Sequence, residues 1–321
     1  MTETADTYVG IDVAKTHLDV SIHPTGERSK VGYTEANVAQ LVTQLQGLVP
    51  RVIVVEASGG YEALVATALA AAGLPVAVVN PRQVRDFAKA IGRLAKNDRI
   101  DAAMLALFGE RVRPQIRPLP DAAVQALAAL VTRRRQLGDM LTAERHRLVL
   151  ATGAVRQSVQ RHIRWLERQV KDSDDQVLRA LQSSPVWRVQ DNLLRSVPGI
   201  AHRVSASLLA HVPELGRLNR RQTAALVGVA PFDDDSGKHH GRRHIRGGRT
   251  AARAALYMAT LVATRHNPVI RAYYQHLLAV GKLKKVALVA CMRKLLTIIN
   301  AMLKHQQSWR AAAVTAAPLD L

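Results

Sequence analysis

The chain has 321 residues, is 48% hydrophobic and carries a formal charge of +20 at pH 7. That length suffices for two domains with separate cores, and a lone cysteine, Cys291, excludes both a disulfide framework and a cysteine-rich zinc site. No apolar run is expected to span a bilayer and the segment MTETADTYVG lacks the features of a secretory signal, so a cytoplasmic chain without a membrane partner is expected.

In chain order, residues 8–35 predict three strands: YVGIDVAK is apolar-rich, LDVSIHP alternates, and PTGER turns into SKVGYTE. NVAQLVTQLQGL (37–48) has helical spacing. RVIVVEA (51–57) is a buried strand broken by SGG, YEALVATALAAAG a helix closed by Gly73, and LPVAVVN (74–80) a further buried strand. PRQVRDFAKAIG starts a helix with Pro81 at its first position, and a last helix is predicted from about Asn97 to Arg113. Three meandering strands followed by two strand–helix units is the order of a ribonuclease-H-like mixed five-stranded sheet, an α/β fold. The proline-bearing RPQIRPLPD (113–121) reads as a linker. Residues 121–182 have the helical spacing of a long antiparallel hairpin or dimerising coiled coil. SSPVW ends that segment, short helices follow over 189–230, 232–249 is a polar, Gly-rich, basic loop, and 250–305 returns to helices broken at HNP and VGK. The implied domains are 1–115, a helical segment 116–185, and an all-α domain 186–321.

Charge follows this division. Residues 1–120 hold 13 Lys/Arg against 12 Asp/Glu, whereas 121–321 hold 32 against 13. A polycationic second part points to nucleic acid, and with only 4% aromatic residues the grip falls on backbone phosphates rather than stacked bases.

The near-neutral first part carries the candidate chemistry. Asp12 lies mid-strand in GIDVAK, where Asp is poor strand material. Glu56 ends the strand VVEASGG, and Asp98 and Asp101 share a helical face in KNDRIDA. If the first strand lies centrally beside the fourth and the last helix crosses them, all four carboxylates meet at one end of the sheet. Such a set needs a counter-ion, and its hard oxygens select Mg²⁺ or Mn²⁺ for phosphoryl transfer. Each residue also has a plain reading: Asp12 a turn residue, Asp98 a helix-start charge, Glu56 a strand-end charge.

In the second part, SVPGIAHRVSASLLA has the form of a helix–hairpin–helix, with Pro198 and Gly199 in the turn and a helix N-terminus facing a phosphate. In DDDSGKHHGRRHIRGGR, Ser236 precedes Gly237 among Lys238, Arg242, Arg243, Arg246 and Arg249. A serine in that setting is placed to attack a phosphodiester, with the cations stabilising the developing charge. The alternative is a solvated loop with an incidental Ser-Gly. His239, His240 and His244 are more readily phosphate or solvent contacts than metal ligands, and Asp233–Asp235 a loop or cap feature.

GIDVAK, VVEASGGYE, KNDRIDA, SVPGI, LVGVAPFDDDSGK and IRGGRTAARAALYMA together resemble, in order, the motifs of the insertion sequence 110 group of transposases. Asn97 stands where the common family form has Thr or Ser. The resemblance implies a RuvC-like domain whose Asp-Glu-Asp-Asp set is Asp12, Glu56, Asp98 and Asp101, and a helical transposase domain whose catalytic serine is Ser236. It further implies a bacterial, nucleoid-associated recombinase acting on donor and target DNA. A structured noncoding bridge RNA would guide it, in a dimer to tetramer with a site composed between subunits. The competing readings are a structure-selective, Holliday-junction-type metal-dependent endonuclease that does not use Ser236, and a non-catalytic nucleic-acid binder.

Overall fold

The computed structural model describes residues 6–93, 98–117, 119, 121–237, 239–241 and 243–310, the side chains of 98–100, 239 and 240 excepted. The chain divides into two compact units, with the boundary after Leu119.

In the first unit, β1 (Tyr8–Val13), β2 (His17–His23), β3 (Arg28–Gly32), β4 (Val52–Glu56) and β5 (Val76–Val79) form one sheet of order β3-β2-β1-β4-β5. The first three strands run antiparallel as a meander, and β1–β4 and β4–β5 pair in parallel. The first strand is therefore central and beside the fourth, as the sequence order implies. Alternation along β1 sends Val9, Ile11 and Val13 to one face, where α1 (Glu35–Leu48) and α2 (Glu62–Ala71) cover them with Leu41, Leu45 and Leu69. On the other face Tyr8, Val52, Val54 and Val79 pack with Met104, Leu105 and Phe108 under α3 (Pro81–Ala90) and α4 (Asp98–Val112). Burial on both faces is why β4 and β5 read as unbroken apolar runs. Asn80 caps α3, its side chain accepting from the Arg82 amide at 2.9 Å, and Pro81 follows where no amide proton is needed.

Gly10 fixes the approach of α4. A Cβ at that position would lie 2.2 Å from the Ala102 carbonyl oxygen and 2.4 Å from the Ala106 nitrogen. Only a residue without a side chain lets helix backbone rest on strand backbone here.

In the second unit, α5 (Ala122–Leu150) and α6 (Gly153–Ser183) form an antiparallel hairpin. At its far end Leu137, Leu141, Ile163 and Leu166 make a small core of their own. At its base Leu127, Val177 and Leu181 join the main core of the C-terminal helices, so residues 116–185 are not a free-standing segment. Helix is resumed directly at Pro185, as α7 (Pro185–Arg195), with α8 (His202–His211), α9 (Arg220–Val227), α10 (Thr250–His266), α11 (Pro268–Ala279) and α12 (Lys284–His305) following. The breaks fall at Asn267-Pro268 and at 280–283, as the sequence predicts.

Two expectations change. By length and composition α12 is apolar enough to cross a membrane, against the reading that no such run exists. Its Cys291, Leu295, Leu296 and Ile299 lie in the centre of the second unit's core, which accounts for the apolarity. The stretch 232–249 is not simply a loop. Pro231–Phe232 (β6) pairs with His244–Ile245 (β9), and Asp235–Ser236 (β7) with His239–His240 (β8), both antiparallel. The segment is a short two-tiered β-ribbon.

Candidate active site

Register sets two carboxylates of the first unit on neighbouring strand ends. The β1–β4 ladder runs from Tyr8↔Val52 to Ile11↔Val55, so Asp12 and Glu56 are the next residues on neighbouring strands. Asp12 shares a face with Tyr8 and Gly10, and Glu56 with Val52 and Val54, the face that α4 covers. Asp101 immediately precedes Ala102, whose carbonyl lies over Gly10. Asp12, Glu56 and Asp101 are each half-buried and each has an interacting partner. Asp98 is the first described residue of α4, and its side chain lies outside the described residues.

A shallow cleft of about 280 Å³ opens here, lined by Glu56, Asp101, Val84 and Met104, and by Arg82 and Arg85 of α3. Glu56 leads into a turn held by its own neighbours. Glu62 accepts from the amides of Ser58 (3.0 Å) and Gly60 (2.8 Å), and the Ala57 amide donates to the Val79 carbonyl at 3.0 Å. Gly59 (φ 75°) and Gly60 (φ 109°) supply the left-handed backbone this turn requires. The Tyr33 hydroxyl donates to the Tyr61 carbonyl; burial raises the phenol's pKa and the nearby Glu62 charge adds to the rise.

Sequence reasoning missed three residues around this end of the sheet. Arg82 and Arg85 appear only as ordinary charges on a helix whose contact with β4 and α4 is tertiary. Asp19 pairs directly with Asp12 across β1–β2, is buried, and lies 3.1 Å from His17 Nε2. Its signal was available: like Asp12, it is a carboxylate interrupting an alternating apolar strand.

The donor chemistry, half-buried carboxylate oxygens on β1, the end of β4 and α4, fits a hard divalent cation. Among the described residues, no three His, Cys, Asp or Glu groups close into a metal-holding cluster.

In the second unit Ser236 is exposed at the end of the β-ribbon, paired with His239 and followed by Gly237 at φ +56°. Lys238 and Arg242 lie outside the described residues. Arg243 is exposed and pairs with Asp233 at 2.6 Å, which gives that Asp a local role, and Arg246 is exposed. Arg249 differs from expectation. Its guanidinium makes a fork to Glu214 at 2.5 and 2.6 Å and donates to the His211 carbonyl at 2.8 Å, so it braces the domain from within. Burial lowers the pKa of His211, and the Arg249 and Arg135 cations lower it further.

The Pro198–Gly199 turn also serves packing. Gly199 has φ +106°, and a Cβ there would meet Ala263 of α10 at 2.8 Å. The fully buried Asn267 donates to the Pro198 carbonyl at 3.4 Å while capping α11. Ala201, at the N-cap of α8, offers no side-chain acceptor to that helix end.

A mixed sheet ending in carboxylates, followed by a basic helical unit, is the layout of a DNA-processing enzyme. Comparison with known proteins makes this specific. Residues 9–151 match the family model of the DEDD transposase of IS110 elements, and residues 191–275 that of the transposase IS116/IS110/IS902 family. The chain belongs to the IS110 family of transposases. The pilin gene-inverting proteins of Moraxella lacunata and Moraxella bovis are each 27% identical over 94% of this chain and 97% of their own length. An uncharacterised protein of insertion element IS900 from Mycobacterium paratuberculosis is 25% identical over 74% of this chain and 61% of its own.

Proposed function

We propose that this protein is a DNA recombinase that cuts and rejoins the ends of an insertion element. In this reading Asp12, Glu56, Asp98 and Asp101 form a metal-holding carboxylate site, and Ser236 is the nucleophile. The observation that supports it is that Asp12 and Glu56 follow the paired ends of β1 and β4 on the face that α4 covers, with Glu56 and Asp101 lining one cleft there. The order β3-β2-β1-β4-β5 supports a ribonuclease-H-like assignment for the first unit. The α7–Pro198–Gly199–α8 connection supports a helix–hairpin–helix in the second.

Bound Mg²⁺ or Mn²⁺ would supply Lewis-acid stabilisation of charge on phosphoryl oxygens. The carboxylates of β1, β4 and α4 would hold and orient it. Ser236 Oγ bonds to phosphorus, the deoxyribose oxygen leaves with a proton, and the reverse attack by a new DNA end frees the serine. Arg246, exposed in the same segment, would offset phosphate charge. The full-length similarity to proteins that invert a pilin gene supports exchange between two DNA sites. A guide RNA and a dimeric to tetrameric assembly belong to this reading through the family resemblance and the basic surplus of residues 121–321.

The test is a trapping assay. Protein, element-end DNA, transcript of the flanking noncoding region and Mg²⁺ are incubated, then denatured and resolved for a protein–DNA adduct. The adduct is expected with the natural chain and absent with Ser236→Ala. Cleavage that persists in Ser236→Ala and disappears in Asp12→Asn would establish the metal-dependent endonuclease reading instead.

A further inference from the structure

The cleft at the carboxylate end is not lined by acids alone. Its opposite wall is α3, whose sequence PRQVRDFAKA sorts sharply by face. Val84 and Ala88 are buried in the core, while Arg82 and Arg85 line the cleft with Glu56 and Asp101. The two arginines have different settings. Arg82 is 70% exposed in its side chain and pairs loosely with Asp86 at 3.9 Å, so it stands at the rim. Arg85 is half-buried, one helical turn further in, and has an interacting partner of its own. The helix is anchored so that this face cannot rotate away: Asn80 caps its start, and Phe87 packs edge-on against Phe108 of α4 with ring centroids 5.5 Å apart.

A phosphodiester approaching this cleft meets carboxylates, which repel it. A cation held by those carboxylates screens one side of the phosphate. The non-bridging oxygens on the other side need a donor that is planar, permanently charged and able to give two hydrogen bonds. We infer that Arg85, with Arg82 at the rim, forms a phosphate-holding wall that positions the reacting DNA phosphate against the carboxylate site. The inference rests on the carboxylate reading above, and it assigns to α3 a part in the reaction that neither family motif nor charge count suggests. It also implies a competition. In the absence of DNA the Arg85 charge opposes a divalent cation placed in the same cleft, and DNA relieves the opposition by drawing the guanidinium to phosphate.

Two measurements on the full-length protein separate this inference from the reading beneath it. The first is Mn²⁺ binding without DNA, followed by electron paramagnetic resonance. The natural chain binds and Asp12→Asn does not; failure of that pair overturns the carboxylate site itself. Arg85→Gln is expected to bind Mn²⁺ about two- to fivefold more tightly, the effect of removing one charge across a wet cleft. Weaker binding would overturn the placement of Arg85.

The second measurement is cleavage of element-end DNA carrying a methylphosphonate, which is uncharged, at the mapped cut. On natural DNA, Arg85→Gln is expected to lose about 10²-fold in rate, as for removal of one charge-stabilising donor. Arg85→Lys keeps the charge without the fork and should lose less. On one methylphosphonate diastereomer, Arg85→Gln should come within about tenfold of the natural chain, because the charge that Arg85 offsets is gone. An equal defect on both substrates, or no defect on either, would overturn the proposal. A variant that merely misfolds shows that equal defect along with a lowered melting temperature.

Discussion

The carboxylate end of the first unit and the serine ribbon of the second are built by opposite means. Asp12, Glu56 and Asp101 sit on a central strand, its parallel neighbour and a helix resting on bare strand backbone, so strand pairing and helix packing set their backbone positions. Ser236 stands exposed on a ribbon of two-residue strands, paired at just two registers on each tier. In the proposed reaction, the oxygens that must share one cation come from a packed sheet. The single hydroxyl proposed to meet the polyanion comes from a short exposed ribbon. The acids lie in the near-neutral part and the basic surplus in residues 121–321.

That contrast can be broken in order of effect. Asp101→Asn should lower DNA cleavage by about 10³-fold, with duplex affinity in a gel-shift assay unchanged within twofold, because a carboxylate adds no attraction to phosphate and the basic surplus lies in residues 121–321. An equal fall in affinity would merge the two roles. Gly10→Ala drives a methyl into α4 backbone and should cost about 3 kcal/mol in urea unfolding. Ser236→Ala, by contrast, should change stability by no more than about 0.5 kcal/mol while removing the covalent adduct, as expected of an exposed ribbon position.

The smallest effect lies at the hairpin base. Asp174 receives Arg134 at 2.9 Å and Arg203 at 2.7 Å. Partial burial raises its pKa, and the two guanidinium hydrogen bonds outweigh that and set it below the ordinary carboxylate value. A depressed folded pKa stabilises above the unfolded value, near about 3.9, and the contribution is lost as pH falls through the folded one. Asp174→Asn should therefore cost about 1 kcal/mol at pH 7 and nothing in strong acid, measured by denaturant melts across that range.

Much of the first unit was legible because both faces of its sheet are buried. Continuous apolar runs, SGG and the Asn80-Pro81 cap mark the elements, and Asp12 and Glu56 stand out against their neighbours. What was not legible depends on groups distant in sequence. Arg249 reads as one more phosphate-seeking cation in a basic stretch, yet Glu214, thirty-five residues earlier, claims it. Gly199 reads as a hairpin turn glycine, and its contact with Ala263 of α10 emerges only in the packed bundle. The ribbon at 231–245 was hidden because strands of two residues carry no periodicity. Arg85 was hidden because a helix shows its own faces in sequence but not what lies opposite them.

Gly10 has one more consequence. A helix that meets a sheet through side chains can slide as those side chains change rotamer or are replaced over evolutionary time. Here the meeting point is two main chains, which have no rotamers. The strand therefore acts as a gauge block for the helix. Drift among Val9, Ile11, Met104 and Phe108 alters how firmly the unit holds together, while the backbone approach of β1 and α4 at Gly10 and Ala102 keeps its calibration.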